Sequence, residues 1–155
     1  MNIAGVICND IANGLGVRTT VFVSGCRRHC PGCHNPQAWD FDYGERFNWQ
    51  NEQMIIDSLR PSWIQGLTIC GGEPFEQENE EALIPFLQRI RRELPGKDIW
   101  IYSGYTFDEL QGRELLQYVD VLVDGPFRQE QKDAGLAFRG SRNQRIIHLK
   151  GGVPA

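Results

Sequence analysis

The stretch VFVSGCRRHCPGCHNPQAW, residues 21–39, runs from an apolar segment straight into Cys26, Cys30 and Cys33. Its β-branched and aromatic opening, halted at Ser-Gly, reads as a strand, which puts the cysteines on the loop leaving that strand's carboxyl end. Spacings of C-x3-C-x2-C let three thiolates face one centre, and soft sulfur ligands favour an iron–sulfur cluster or zinc over calcium or magnesium. Zinc in a structural site needs a fourth protein ligand, for which His29, His34, Cys70 and Cys8 are the candidates. Free or redox-active thiols are the third reading. A four-iron cube held by only three cysteines leaves one iron open to a substrate or cofactor.

Working outward, similar apolar runs recur at 2–7 (NIAGVI), 19–25 (TTVFVSG), 66–70 (GLTIC), 98–104 (DIWIYSG), 119–125 (VDVLVDG) and 144–150 (QRIIHLK). Helical spacing appears over 51–60, where Met54, Ile55 and Leu59 form a stripe, and over 79–94, where Leu83, Leu87, Ile90 and Leu94 do. Pro85 is expected in the early turns of that second helix or at a kink. A shorter helix over 106–118 opens with Thr106 and Glu109 at capping-box spacing. Strand and helix in alternation predict an α/β fold with parallel pairing. About six mostly parallel strands are too few for a closed eight-stranded barrel, leaving an open sheet or a partial (β/α) barrel. One domain over residues 1–155 is expected, its ligand beyond the carboxyl ends of the strands.

A second glycine-rich turn follows a later strand in TICGGEPFEQ, residues 68–77. Gly71 and Gly72 allow the backbone to turn and approach a ligand without side-chain clash, and Glu73 can accept hydrogen bonds from an ammonium group. The plainer alternative is a tight turn with a solvated Glu. Both turns leave the same ends of parallel strands, so they are expected to share a crevice.

Composition narrows the function classes. The chain has 155 residues, 41% hydrophobic and 23% charged, with a formal charge of −4 that argues against a general nucleic-acid binder. It has no apolar run long enough to span a membrane, and its first residues lack the basic and apolar regions of a signal peptide. A cytoplasmic location is expected, where five cysteines serve better as ligands or nucleophiles than as disulfides.

The cysteine loop and Gly71-Gly72-Glu73-Pro74, in this order and these strand contexts, resemble the radical S-adenosylmethionine superfamily. The resemblance implies that Cys26, Cys30 and Cys33 are the metal ligands and catalytic residues of a 4Fe–4S cluster. The open iron then chelates the amino and carboxylate groups of S-adenosylmethionine, and the Gly-Gly-Glu-Pro turn binds the amino group. Reductive cleavage to methionine and a 5′-deoxyadenosyl radical is the implied chemistry.

A narrower resemblance covers most of the chain. NGLGVRTTVFVSGCRRHCPGCHNPQAW, GLTICGGEPF, YSGYTFDEL, VDVLVDGPF and RGSRNQRII are similar to the anaerobic ribonucleoside-triphosphate reductase-activating family. This implies an anaerobic oxidoreductase that installs a glycyl radical on the large subunit of that reductase, fed by a low-potential electron donor such as flavodoxin. A homodimer or a heterotetramer with the reductase is compatible with it. Gly32 departs from the superfamily pattern, in which an aromatic usually precedes the third cysteine, so adenine contact is expected from backbone around Gly32, Cys33 and His34. The rival readings are another small radical S-adenosylmethionine enzyme and a zinc-binding scaffold.

Other residues carry weaker expectations. Ser103, Gly104 and Tyr105 follow the fourth candidate strand on the ligand side, so contact with the cofactor is one reading of Ser103 and Tyr105. Asp124 ends the fifth, facing the same crevice or bonding its own turn before Pro126. Cys8 and Cys70 are expected to pack as small hydrophobes, Cys70 approaching the cluster without ligating it. A surface role is expected for His29, a cofactor contact for His34 and partial burial for His148. Arg18, Asn143 and Arg145 are assigned to partner contact or cofactor support. The tryptophans default to the core, with one or two exposed ones available to anchor the reductase.

Overall fold

A computed structural model describes residues 1–155. Strands β1 (Asn2–Asp10) and β2 (Val17–Val23) lead, followed by β3 (Glu45–Arg46), helix α1 (Trp49–Leu59), β4 (Ile64–Gly71), α2 (Gln77–Glu93) and β5 (Asp98–Tyr102). Then come α3 (Phe107–Leu110), β6 (Val121–Asp124), β7 (Arg145–Lys150) and β8 (Val153–Pro154). Short 3-10 turns occupy Pro36–Trp39, Glu114–Tyr118 and Gln129–Gln131.

All eight strands form one open mixed sheet in the order β3-β1-β2-β4-β5-β6-β7-β8. This corrects the expectation of about six mostly parallel strands: antiparallel pairings outnumber parallel ones by four to three. Connection length explains the difference. Pairs β2–β4, β4–β5 and β5–β6 are parallel because helical or turn-rich crossovers separate them, whereas β1 returns into β2 through the short loop 11–16, which permits only an antiparallel neighbour. The two-residue strands β3 and β8 are edge additions too short to leave a periodic signal.

Period-two alternation divides the sheet into two faces. Val21, Leu67, Ile69, Ile99 and Ile101 share the larger apolar core with Ile55, Ile56 and Leu59 of α1 and Leu83, Leu87 and Ile90 of α2. The intervening residues of β5 and β6 form a separate cluster, Trp100, Val121 and Val123, against which Tyr102, Phe138 and Ile146 pack. That second face has no helix over it in sequence; the loops 11–16 and 126–144 reach it instead, through contacts such as Thr68 Oγ1 to the Asn13 carbonyl and Phe138 against Trp100.

Asn48 caps α1 by accepting from Gln50 N and Asn51 N. Pro85 sits in the interior of α2, not in its early turns, and on an exposed position. Met54 is exposed, so the α1 stripe is carried by Ile55, Ile56 and Leu59. The helix over 106–118 is broken: α3 ends at Leu110, and Gly112, at φ 85°, turns the chain before the 3-10 segment. No helix is long and apolar enough to cross a membrane.

Candidate iron–sulfur and cofactor site

The cysteine loop is held at both ends by backbone. Gly25 N donates to the Ala38 carbonyl at 2.7 Å and Cys26 N to the Trp39 carbonyl at 3.1 Å, closing the segment, while Cys33 N to Cys30 O at 3.1 Å makes the inner turn. His29 (φ 49°) and Gly32 (φ 77°) adopt left-handed conformations that fold the loop tightly. The His29 ring stacks on Trp39 with centroids 4.2 Å apart. Arg27 anchors the outside, its backbone N–H and guanidinium both donating to Glu76 at 2.7 Å, with a further ion pair to Glu78.

The Gly-Gly-Glu turn is stapled to this loop. Gly72 N donates to Val23 O at 2.7 Å and Glu73 N to Gly25 O at 2.8 Å, and the buried Asn79 amide donates to the carbonyls of Ser24 and Glu73. Glu73 is buried, yet its carboxylate is well served: Oε1 accepts from Phe75 N and the Ser103 hydroxyl, and Oε2 from Gly104 N. Burial pushes its pKa up to about 7, although these hydrogen bonds and the nearby Arg28 pull the other way. Burial likewise raises the thiols of Cys26 and Cys70.

Both turns open onto a cavity of about 490 Å³ on the helix-free side of the sheet. Of the sequence-predicted residues it is lined by Cys26, Cys30, Cys33, His34, Gly71, Gly72, Glu73 and Ser103. Gly32, Pro74, Tyr105 and Asp124 do not line it. Asp124, the candidate at the end of β6, is 1% exposed and is consumed by Phe107 N and the Arg145 guanidinium, so it fixes β6 to α3 and β7. Tyr105 stands behind the wall, its ring under the Arg28 guanidinium at 4.6 Å.

The chain matches the 4Fe-4S single cluster domain family over residues 12–147. It is 50% identical to the anaerobic ribonucleoside-triphosphate reductase-activating protein of Haemophilus influenzae, over 96% of this chain and 97% of the relative. The proteins of that name from Pasteurella multocida and Escherichia coli are 43% and 44% identical, covering 96% and 91% of this chain and 98% and 94% of theirs. This chain belongs to the anaerobic ribonucleoside-triphosphate reductase-activating family.

The donor set fits the cluster that the family carries. Four cysteines line the cavity, Cys26, Cys30 and Cys33 on one short loop and Cys70 near the end of β4. Three soft thiolates on one loop are the donors that a 4Fe–4S cluster takes. Asn35 N lies 3.4 Å from Cys33 Sγ, the kind of N–H···S contact that tunes a cluster's potential.

Several expectations about the family's weaker positions are revised. Cys8 is exposed on β1, not packed in the core, and His148 is exposed. Arg18 is fully buried and structural: it donates to Thr68 Oγ1, to the carbonyls of Leu15 and Leu67, and to Asp98. Asn143 is tied to Pro126 O. Trp100 is buried, whereas Trp49 and Trp63 are exposed.

Sequence reasoning missed Arg28 and Phe127, both in the cavity wall. Arg27 and Arg28 are indistinguishable as letters; only the fold shows that the first is spent on Glu76 and Glu78 while the second has a buried Nε with no partner.

Proposed function

We propose that this chain activates the anaerobic ribonucleoside-triphosphate reductase by generating a glycyl radical on its large subunit, with S-adenosylmethionine and a 4Fe–4S cluster as cofactors. Cys26, Cys30 and Cys33 hold the cluster. When bound, the reduced cluster supplies one electron to the sulfonium, so that a carbon–sulfur bond breaks to methionine and a 5′-deoxyadenosyl radical, which takes a hydrogen atom from the target glycine Cα.

The observation that carries this reading is the shared cavity, lined by the three thiols of the cysteine loop and by the buried Glu73. A carboxylate offers about four acceptor positions, and three are filled by the chain, so Glu73 keeps one for the ligand's ammonium. Ser103 and Gly104 hold that carboxylate in place. Arg28, unpaired beside it, faces the ligand's carboxylate. Gly71 and Gly72 keep the turn low enough for the methionine part to lie against backbone. His34 and the Gly32–Cys33 backbone border the nucleoside part; Pro74 stiffens the turn from behind, and Tyr105 and Asp124 act as supports. No general base is needed, since the step moves a hydrogen atom.

The sheet's open side supports a radical S-adenosylmethionine core of partial-barrel type within a single domain. The partner closes what the short chain leaves open, inserting its glycine loop at the cavity mouth. A low-potential donor such as flavodoxin, a cytoplasmic location, and assembly as a homodimer or heterotetramer belong to the same proposal.

Anaerobically reconstituted, reduced protein mixed with S-adenosylmethionine and the reductase is expected to yield methionine, 5′-deoxyadenosine and a glycyl electron-spin signal. Cofactor cleavage without that signal assigns the chain to another small radical enzyme. Protein with zinc in place of iron and sulfide rejects the proposal.

A further inference from the structure

One wall of the cavity comes from the loop after β6, far in sequence from the cysteines. A Cβ on Gly32 would lie 3.3 Å from Phe127 Cε1, and one on Gly140 would lie 3.0 Å from Phe127 Cδ2. The two glycines thus border the ring on different edges, and any side chain at either would push it aside. Phe127 also meets the His34 ring, with centroids 5.1 Å apart and planes at 54°. The ring is only partly buried and lines the same cavity as Cys33, with Leu136 and Phe138 extending the apolar surface. Of the charged lining residues, Glu73 and Arg28 belong to the two strand-end turns, and Arg139 belongs to the loop that carries Phe127. The cavity thus offers Glu73 and Arg28 to a zwitterion and the Phe127 ring to a flat apolar group.

We infer that Phe127 is the stacking platform for the adenine of S-adenosylmethionine, filling the role of the aromatic that is absent at position 32. The inference rests on the radical S-adenosylmethionine reading of the site. A ring bordered at its edges by glycines loses little rotamer freedom when a purine lies on it, and base–aromatic stacking is tolerant of hydrogen-bonding detail. Gly32 serves twice: its φ of 77° makes the loop turn, and its missing side chain leaves space for Gln129 and Phe127. The ring, supplied from the loop after β6, adds a stacking surface to the backbone contact expected around Gly32, Cys33 and His34.

The test uses cluster-loaded full-length protein and titration calorimetry with S-adenosylmethionine, 5′-methylthioadenosine and methionine. Phe127→Leu keeps apolar volume and removes the π face; Phe127→Trp keeps a π face. For Phe127→Leu, dissociation constants for the two adenosyl compounds are expected to rise roughly tenfold or more, the usual scale of a lost stack, with methionine unchanged. Phe127→Trp is expected to stay within a few-fold of wild type. Iron content and the thermal midpoint report whether either variant is intact. Wild-type affinity for adenosyl compounds in Phe127→Leu, or an equal loss for methionine, overturns the stack alone. Wild-type protein that binds no adenosyl compound overturns the reading of the site with it.

Discussion

The Ser103 hydroxyl donates to Glu73 Oε1 at 2.8 Å, tying the end of β5 to the turn that follows β4. Two neighbouring parallel strands thereby position one carboxylate, with Phe75 N at 3.0 Å and Gly104 N at 2.7 Å completing its support. The group is dehydrated and aimed before any ligand arrives, the arrangement that makes a single remaining hydrogen bond count.

That burial has a signature in pH. Glu73 rises from an ordinary 4.5 to about 7, so between those values the folded chain keeps a proton that the unfolded chain has released. Stability therefore falls as pH rises through this window, by at most about 1.4 kcal/mol per pH unit, and is flat with respect to this group outside it. Asp10 is shifted the other way, downward, with Thr20 and Asn13 bonding its carboxylate, so it acts only at more acid pH. Denaturant midpoints of wild type and Glu73→Gln at about pH 5 and about pH 7.5 are expected to diverge, the variant lacking the decline. Parallel curves refute the upward shift of Glu73.

Gly71 and Gly72 are held where no side chain fits. A Cβ at Gly71 (φ 103°) would stand 2.6 Å from Val23 O, and one at Gly72 2.6 Å from Gly25 O. Neither contact can relax without breaking the backbone hydrogen bonds that join the two turns. Gly71→Ala and Gly72→Ala are each expected to destabilise by about 2 kcal/mol or more and to weaken S-adenosylmethionine binding. At Gly96 an added Cβ meets nothing within 4 Å, so Gly96→Ala serves as the near-neutral control in the same thermal melts and titrations.

The six longer strands and two main helices were legible because each pairs an unbroken apolar period with glycine or charge at its end. Sheet direction was not, since the run 2–7 looks the same whether it crosses over a helix or turns straight back through 11–16. The three cysteines and Gly71-Gly72-Glu73 could be read because local spacing defines them. Asp124 and Tyr105 were placed by strand-end position alone, which cannot say whether a side chain meets the crevice or a neighbour such as Arg145. Phe127 and Arg28 depend on which loop lies across from which, information held in tertiary packing.

Arg18 gives the clearest stability prediction. Its side chain has no exposure and donates to Thr68 Oγ1 at 2.7 Å, Leu67 O at 2.9 Å and Asp98 at 2.5 Å. Truncating it strands those acceptors and opens a void beside Trp100, so Arg18→Ala is expected to lose about 3–5 kcal/mol in urea unfolding. Asp98 is 29% exposed at its side chain and can recruit water, so Asp98→Asn is expected to lose less.

Arg28 is the cavity-lining cation whose side chain has no hydrogen-bond partner in the folded chain. Its guanidinium lies over the Tyr105 ring at 4.6 Å, its Nε is buried without a partner, and Gly104 must lack a side chain for it to fit, since a Cβ there would meet Arg28 Cδ at 2.5 Å. An orphaned charged donor is costly unless a ligand satisfies it. A carboxylate is the natural acceptor, and the amino-acid part of S-adenosylmethionine brings one beside the ammonium that Glu73 takes. Arg28→Gln is expected to raise the dissociation constant for S-adenosylmethionine by roughly tenfold. Decarboxylated S-adenosylmethionine, lacking the matching group, is expected to bind the wild type weakly and the variant no more weakly still, which isolates the pairing as a double-mutant cycle does. Equal losses for both compounds, with iron content intact, assign Arg28 to packing on Tyr105 and remove it from ligand recognition.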